Sequence, residues 1–277
     1  IYVILSLSLN LLVGYTGILS IAHAAFYGVG AYVAALMALR LETPFLLNII
    51  FAFIVAGVFG AVIGIPSLRL RDDYFVIATF AFQIIIFSIL NNLVGFTGGP
   101  LGLPGIPQPE ILGFTFSTHF EFLLLSCFLA LFVYWISNKI VKSPFGRLLK
   151  AIREDEVAAE AMGINLFKHK VMSFGVGAFF AGIGGGLLAT LLATVDPNQF
   201  YFTVTYNFLL IIVLGGMGSV SGTIIASFVV TSGLEILRFF DEPLTLFGAN
   251  IALFRPGLRM VIFSILLMIL VLFFRNG

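Results

Sequence analysis

The sequence predicts an all-α, polytopic transmembrane helical bundle with about eight to nine membrane segments. Three observations predict it. Hydrophobic residues fill 60% of the 277 positions, charged residues fill only 10%, and the charges fall between long apolar runs rather than within them. A soluble domain carries about 25% charged residues, so a chain this poor in charge has too little polar surface to face water. About 20 apolar residues cross a bilayer as a helix, and eight or so such crossings fit this length. The net charge of +1 says nothing about nucleic acid, because the charges sit at span ends, and no nucleic-acid partner is expected. Cys127 lies alone in an apolar run, which excludes a disulfide framework. The first apolar run does not carry a cleavable signal-peptide pattern. It opens at Ile1, without Met and already apolar, so the single transmembrane domain over 1–277 is expected to be clipped at both ends.

The apolar runs read as helices at 1–13, 20–39, 45–64, 74–93, 119–137, 170–192, 203–214, 219–237 and 256–274. Run length carries these assignments, because a fully buried helix shows little periodicity. The links differ in charge. The turn 65–73 holds Arg69 and Arg71. The link 138–169 holds Lys139, Lys142, Arg147, Lys150, Arg153, Lys168 and Lys170, and Arg275 follows the last run. The link 94–118, with Gly98, Gly99 and Gly102 in a glycine- and proline-rich stretch, has neither Lys nor Arg. The excess of Lys and Arg on the cytoplasmic side then puts 65–73, 138–169 and the C-terminus inside and 94–118 outside. The alternation holds if 203–214 enters, turns at its glycines, and 219–237 leaves.

Two stretches interrupt the plain spans: LNLLVGYTGILSIAHAAFYGVGAY near the start and NFLLIIVLGGMGSVSGTIIAS near the end. Gly14, Gly17 and Ser20 share a GxxGxxS spacing with Gly215, Gly218 and Ser221. Each set follows a run opened by an Asn (Asn10 and Asn207), although at different distances. Glycines this dense free backbone carbonyls and amides, which a bilayer tolerates only where the backbone is packed in protein or lines a polar cavity. Paired interruptions in corresponding halves point to a transport path at an internal repeat. The competing reading is that small residues simply let helices pack closely. On the first reading Asn10, Gly14, Gly17, Ser20, His23, Gly215, Gly216, Gly218 and Ser221 are the pathway candidates. For His23 the default is hydrogen-bonded packing.

Catalysis has little to stand on. Ionisable groups are rare in the spans: His23, Glu121 near an outer end, and Glu235 and Arg238 near one helix end. No HExxH, Gly-x-Ser-x-Gly or Cys/His metal set occurs, and no cofactor is implied. No mid-span carboxylate offers a coupling-ion site, and no Walker A sequence offers ATP hydrolysis. What remains is a channel, or a permease driven by a separate ATPase.

The charged stretch 143–169 discriminates between them. After Ser143 and Pro144, Leu148, Leu149 and Ile152 form a helical stripe, continued by Val157, Ala158, Ala161 and Met162. Glu156 and Glu160 stand four apart on another face, and Gly163 is placed to end a helix over 147–163 in the left-handed conformation. A short helix with a small-residue face rimmed by charge suits a groove in a soluble partner. The alternative, a helix resting on lipid headgroups, conflicts with Glu154, Asp155 and Glu156, because the inner leaflet is anionic.

Several segments in order carry a family resemblance: NLLVGYTGILSIAHAAFYGVGAY, PSLRLRDDYFVIATFAFQIIIFSILNN leading into TGGPLGLPGIP, GRLLKAIREDEVAAEAMGINLFKHKVMSFGVGAFFAGIGGGLLA, and VLGGMGSVSGTIIAS. With them the chain resembles permease subunits of bacterial ABC importers for branched-chain amino acids, of the type paired with a second related permease. The resemblance implies that partner permease, two ATP-binding cassette ATPases, a periplasmic or lipid-anchored solute-binding protein, and a place in the bacterial cytoplasmic (inner) membrane. It also implies that the cytoplasmic loop is the ATPase-coupling element, built on Glu-Ala-Ala, three residues and Gly. Ala158, Ala159 and Gly163 keep that spacing, whereas Val157 stands where Glu belongs and Glu156 comes one residue early. The coupling candidates are Arg153, Glu154, Asp155, Glu156, Ala158, Ala159, Glu160 and Gly163. A second departure is Asp72, where Gly more often follows Arg-Leu-Arg. A permease for urea or short amides on the same scaffold, and a passive channel, are the rival readings.

Overall fold

The computed structural model describes residues 1–237, apart from 71, 112 and 117, together with 245–246 and 249–250. The expected span 256–274, the C-terminus and the basic residues Arg71, Arg238 and Arg275 lie outside the described residues. Eleven α-helices follow one another among the described residues: α1 (Tyr2–Asn10), α2 (His23–Leu41), α3 (Phe45–Ser67), α4 (Asp72–Asn92), α5 (Val94–Thr97), α6 (His119–Lys142), α7 (Pro144–Glu154), α8 (Glu156–Ala161), α9 (Leu166–Leu192), α10 (Thr203–Gly215) and α11 (Val220–Leu237). Seven helices among the described residues, counting α10 with the turn that leads into it from Pro197, are long and apolar enough to cross a membrane. The apolar helix over Tyr2–Tyr15 is shorter. The chain is an all-α, multi-pass membrane protein.

Helix α9 is the centre. Its span is 72% buried, against 22% for α6 at the rim. Lipid tails are as apolar as Leu, so helices in a bilayer associate through close packing rather than through escape from water. The α2–α3–α9 seam is built accordingly from small residues. A Cβ on Gly30 would lie 2.7 Å from the Gly182 carbonyl oxygen, and one on Gly185 would lie 2.6 Å from the Ala31 amide nitrogen. Aromatic rings fill the wider gaps. Phe26, Phe174, Phe200 and Phe208 are fully buried, and Phe26 meets Phe174 edge-on at 5.3 Å.

The ends follow local chemistry. At α6, Thr118 and Glu121 form a reciprocal capping box, and at the other end Lys139 lies 3.9 Å above the Trp135 ring. Helix α6 runs to Lys142, beyond the expected end of its apolar run, and stops where Ser143 and Pro144 begin α7. Helix α9 begins at Leu166, because the Asn165 side chain accepts the Lys168 amide at 2.9 Å.

At the end opposite α7, short antiparallel pairs tie the links together: β1 (Leu103–Pro104) with β4 (Thr194–Val195), and β2 (Glu110–Ile111) with β3 (Phe114–Thr115). A third pair joins β5 (Thr245–Leu246) to β6 (Ala249–Asn250). Gly98, Gly99 and Gly102 take φ of +73°, +60° and +69°. Gly102 must be glycine on a second ground, since a Cβ there would lie 2.8 Å from Asp196 Cα.

The expected helix over 147–163 is two helices. Asp155 leaves helical geometry (φ −157°, ψ 110°), and its carboxylate accepts the amides of Val157 and Ala158 at 2.9 and 3.0 Å. An Asp that caps the following turn competes with helix continuation at that residue. The break also divides the expected stripe. Leu149 and Ile152 turn into the bundle, whereas Val157 and Met162 turn outward.

Candidate functional site

The first interruption begins inside the first helix. Leu11–Tyr15 winds as a π-helix, a form that widens the turn and is frequent at functional sites. Thr16 donates to the Leu11 carbonyl at 3.0 Å and pairs with the Ser173 hydroxyl of α9 at 2.7 Å. Gly17 then takes φ +75°, and the chain stays non-helical to Ala22. The Ile21 amide donates to Thr79 of α4 at 3.2 Å. Thr205 of α10 donates to the Ile21 carbonyl at 3.1 Å and accepts the Ala24 amide at 3.0 Å. Two threonines from other helices thus satisfy backbone groups that the broken helix leaves without intrahelical partners. Ser20 accepts the Ala22 amide at 3.3 Å.

The second interruption is a tight turn. Helix α10 ends at Gly215, Gly216 and Gly218 take φ of +84° and +86°, and α11 starts at Val220. Gly17 and Gly218 occupy equivalent places in the GxxGxxS alignment, and both are left-handed.

The two interruptions touch. Asn10, almost fully buried, donates to the Ser219 carbonyl at 3.2 Å and to the Thr223 hydroxyl at 2.9 Å, and accepts the Gly218 amide at 3.0 Å. Gly14 leaves the room this needs, since a Cβ there would strike the Asn10 side chain and the Gly218 amide. From α7, Arg153 Nη1 donates to the Gly14 carbonyl and, at 3.5 Å, to the Met217 carbonyl.

Of the pathway candidates, Asn10, Gly14, Ser20 and His23 are buried. Gly215, Gly216 and Gly218 are half-buried, and Gly17 and Ser221 are exposed. His23 pairs through Nε2 with the Ser8 hydroxyl at 2.7 Å. Ser8 spends its one proton on the Leu5 carbonyl at 2.7 Å, so Nε2 is the donor.

Among the coupling candidates, Glu156 reaches Lys170 of α9 with both oxygens at 2.6 Å. Glu160 is exposed. Ala159 is buried, and Val157 and Met162 are 79% and 83% exposed. Gly163, at φ +81°, donates to the Glu160 carbonyl, and the Ile164 amide reaches back to the Ala159 carbonyl at 3.1 Å, which closes α8 as a Schellman motif. At the far end a cavity of about 550 Å³ is lined by Glu42, Asn48, Gln108, Glu110 and Thr190 among others. Among the described residues no group of three His, Cys, Asp or Glu could hold a metal.

Sequence reasoning missed Thr79, Thr205, Thr223 and Lys170. A threonine alone in an apolar run was a usable signal for Thr79, whereas Thr205 and Thr223 stand among other polar residues. Nothing local indicated Lys170.

A family model described as "Branched-chain amino acid transport system / permease component" matches residues 1–272. The chain is 35% identical to the high-affinity branched-chain amino acid transport permease LivM of Escherichia coli, over 87% of this chain and 62% of that one. It is 29% identical to a probable LivM of Methanocaldococcus jannaschii (80% and 74% covered) and 27% identical to Escherichia coli LivH (83% and 79%). The chain therefore spans about 62% of the length of the Escherichia coli LivM that it matches. No solved structure matches it.

Proposed function

The chain belongs to the branched-chain amino acid transport permease family, and from that premise we propose that it is a permease subunit of an ATP-driven importer in the bacterial inner membrane. In this reading it forms half of a solute path, pairs with a second related permease, receives branched-chain amino acids from a solute-binding protein, and couples to two ATPases through α8. The observation that carries it is the bare face of α8. Val157 and Met162, with Ala158 and Ala161 between them, stand open on a helix braced from behind by Ala159, the Gly163 closure and the Glu156–Lys170 pair. A braced helix with uncovered apolar side chains suits a groove in a partner.

The orientation reading has α7 and α8 in the cytoplasm, with the 94–118 link and its cavity outside. The gathering of Lys139, Lys142, Arg147, Lys150, Lys168 and Lys170 at one end supports it. Glu156 is engaged by Lys170, so Glu154 and Glu160 are the carboxylates left open to an ATPase, and Val157 contributes apolar contact where the motif would have Glu.

Solute selectivity then resides mainly in the binding protein. Among the described residues the buried polar groups are Ser, Thr, Asn, Gln and His, with no buried charge to pair with a zwitterion. Leucine uptake into proteoliposomes holding the whole complex tests the reading. Uptake is expected only with ATP and binding protein together. ATP-independent uptake overturns it in favour of a channel, and micromolar leucine binding to the permease pair alone overturns the division of labour. Val157→Asp with Met162→Asp should lose the ATPases on purification.

A further inference from the structure

The geometry points to Arg153 as a positioning residue that carries movement of α7 and α8 to both glycine interruptions at once, facing the bundle rather than the ATPase. It rests on the docking reading of α8. Arg153 stands in the last turn of α7, next to the Asp155 break. A guanidinium offers five donors in a planar fork and keeps its charge, so one side chain can serve two carbonyls. Here Nη1 serves Gly14, in the π-helical turn, and Met217, in the turn between α10 and α11.

Both interruptions are also cut to fit that side chain. A Cβ on Gly17 would lie 3.2 Å from Arg153 Cγ, and one on Gly218 would lie 2.7 Å from Nη1. The matched glycines of the two GxxGxxS sets, 201 positions apart, flank one arginine. Helix α7 is gripped by the bundle through buried Leu149 and Ile152, and Lys150 lies 5.5 Å from the Tyr15 ring, on the same π-turn. A displacement of α8 therefore acts within two residues of the only side chain on α7 that reaches both interruptions among the described residues.

The test uses the reconstituted complex and leucine moved per ATP hydrolysed. Arg153→Ala should lower that ratio at least tenfold while the ATPases still copurify. Arg153→Lys, with a compact ammonium in place of the fork, should fall between. Gly218→Ala, which crowds Nη1 from the other side, should lower the ratio as well and covers the case in which Arg153→Ala does not fold. Spin labels at Leu19→Cys and Met217→Cys, both on exposed side chains, in a Cys127→Ser background should change separation on nucleotide trapping in the parent and not in Arg153→Ala. A parent-like ratio and a parent-like separation change in Arg153→Ala overturn the inference and leave the docking reading standing. Loss of the ATPases in Arg153→Ala also overturns it, because the arginine is then itself the contact. Full transport by Val157→Asp with Met162→Asp overturns the docking reading, and the inference with it.

Discussion

The two glycine interruptions share a spacing and little else. The first is long: a π-turn and six non-helical residues, held by hydroxyls from three other helices, Thr79, Ser173 and Thr205. The second is a four-residue turn that closes on itself, with the Ser219 amide donating to the Gly216 carbonyl at 3.0 Å and the Gly222 amide to Ser219 Oγ at 3.1 Å, and it is tied to the rest by Asn10 at the end of α1 and by Arg153 from α7. Equal glycine spacing sets where a helix can break. The donors and acceptors brought by neighbouring helices decide how wide the break becomes. The first region is thus part of the scaffold, and the second depends on the first.

That dependence can be broken, most severely at Asn10. Asn10→Ala leaves the Gly218 amide and the Thr223 hydroxyl short of a partner and should lower stability by about 2–3 kcal/mol, read as a fall in the melting temperature of the detergent-purified protein. A shift no larger than that of a substitution at an exposed position such as Ile77→Ala would mean that the second turn stands unaided. Next, Thr205→Val removes one donor and one acceptor at nearly constant shape and should cost about 1–2 kcal/mol, with Thr205→Ser recovering most of it. Gly17→Ala and Gly218→Ala both force a Cβ into left-handed backbone, for about 1–2 kcal/mol each. Melting curves should rank Gly218→Ala lower, since only there is the nearest neighbour inside 3 Å. The smallest effect belongs to Glu156→Gln. That pair is half open to water on the Glu side, so its loss should cost less than about 1 kcal/mol and should vanish in high salt.

Much of this architecture was legible in the sequence because a bilayer imposes a length on apolar runs. Every run expected before residue 238 is a helix, and Gly163 takes the conformation its place after a helix calls for. The single helix over 147–163 was an error with a visible cause: Asp155 precedes Glu-Val-Ala-Ala and is a strong N-cap residue, a signal that outranks the continuity of the apolar stripe. The ends of α6 and α9 came out longer than their apolar runs because polar residues at a span's edge remain helical until a cap or a proline stops them. The meeting of Asn10 with Gly218, 208 positions away, was not legible. It depends on where α1 and α11 lie, and no local pattern encodes that.

The glycine seam of α2, α3 and α9 has a mechanical consequence. Where backbone lies on backbone, at Gly30 on Gly182, Gly185 on Ala31 and Gly182 on Ala52, no side chain can change rotamer to let one helix slide past the next. They form a rigid frame. In the proposed importer, any cycle between inward- and outward-open forms must then be accommodated outside that frame, where α10 reaches α2 through the Phe208 ring and α11 packs on α1, α6 and α10.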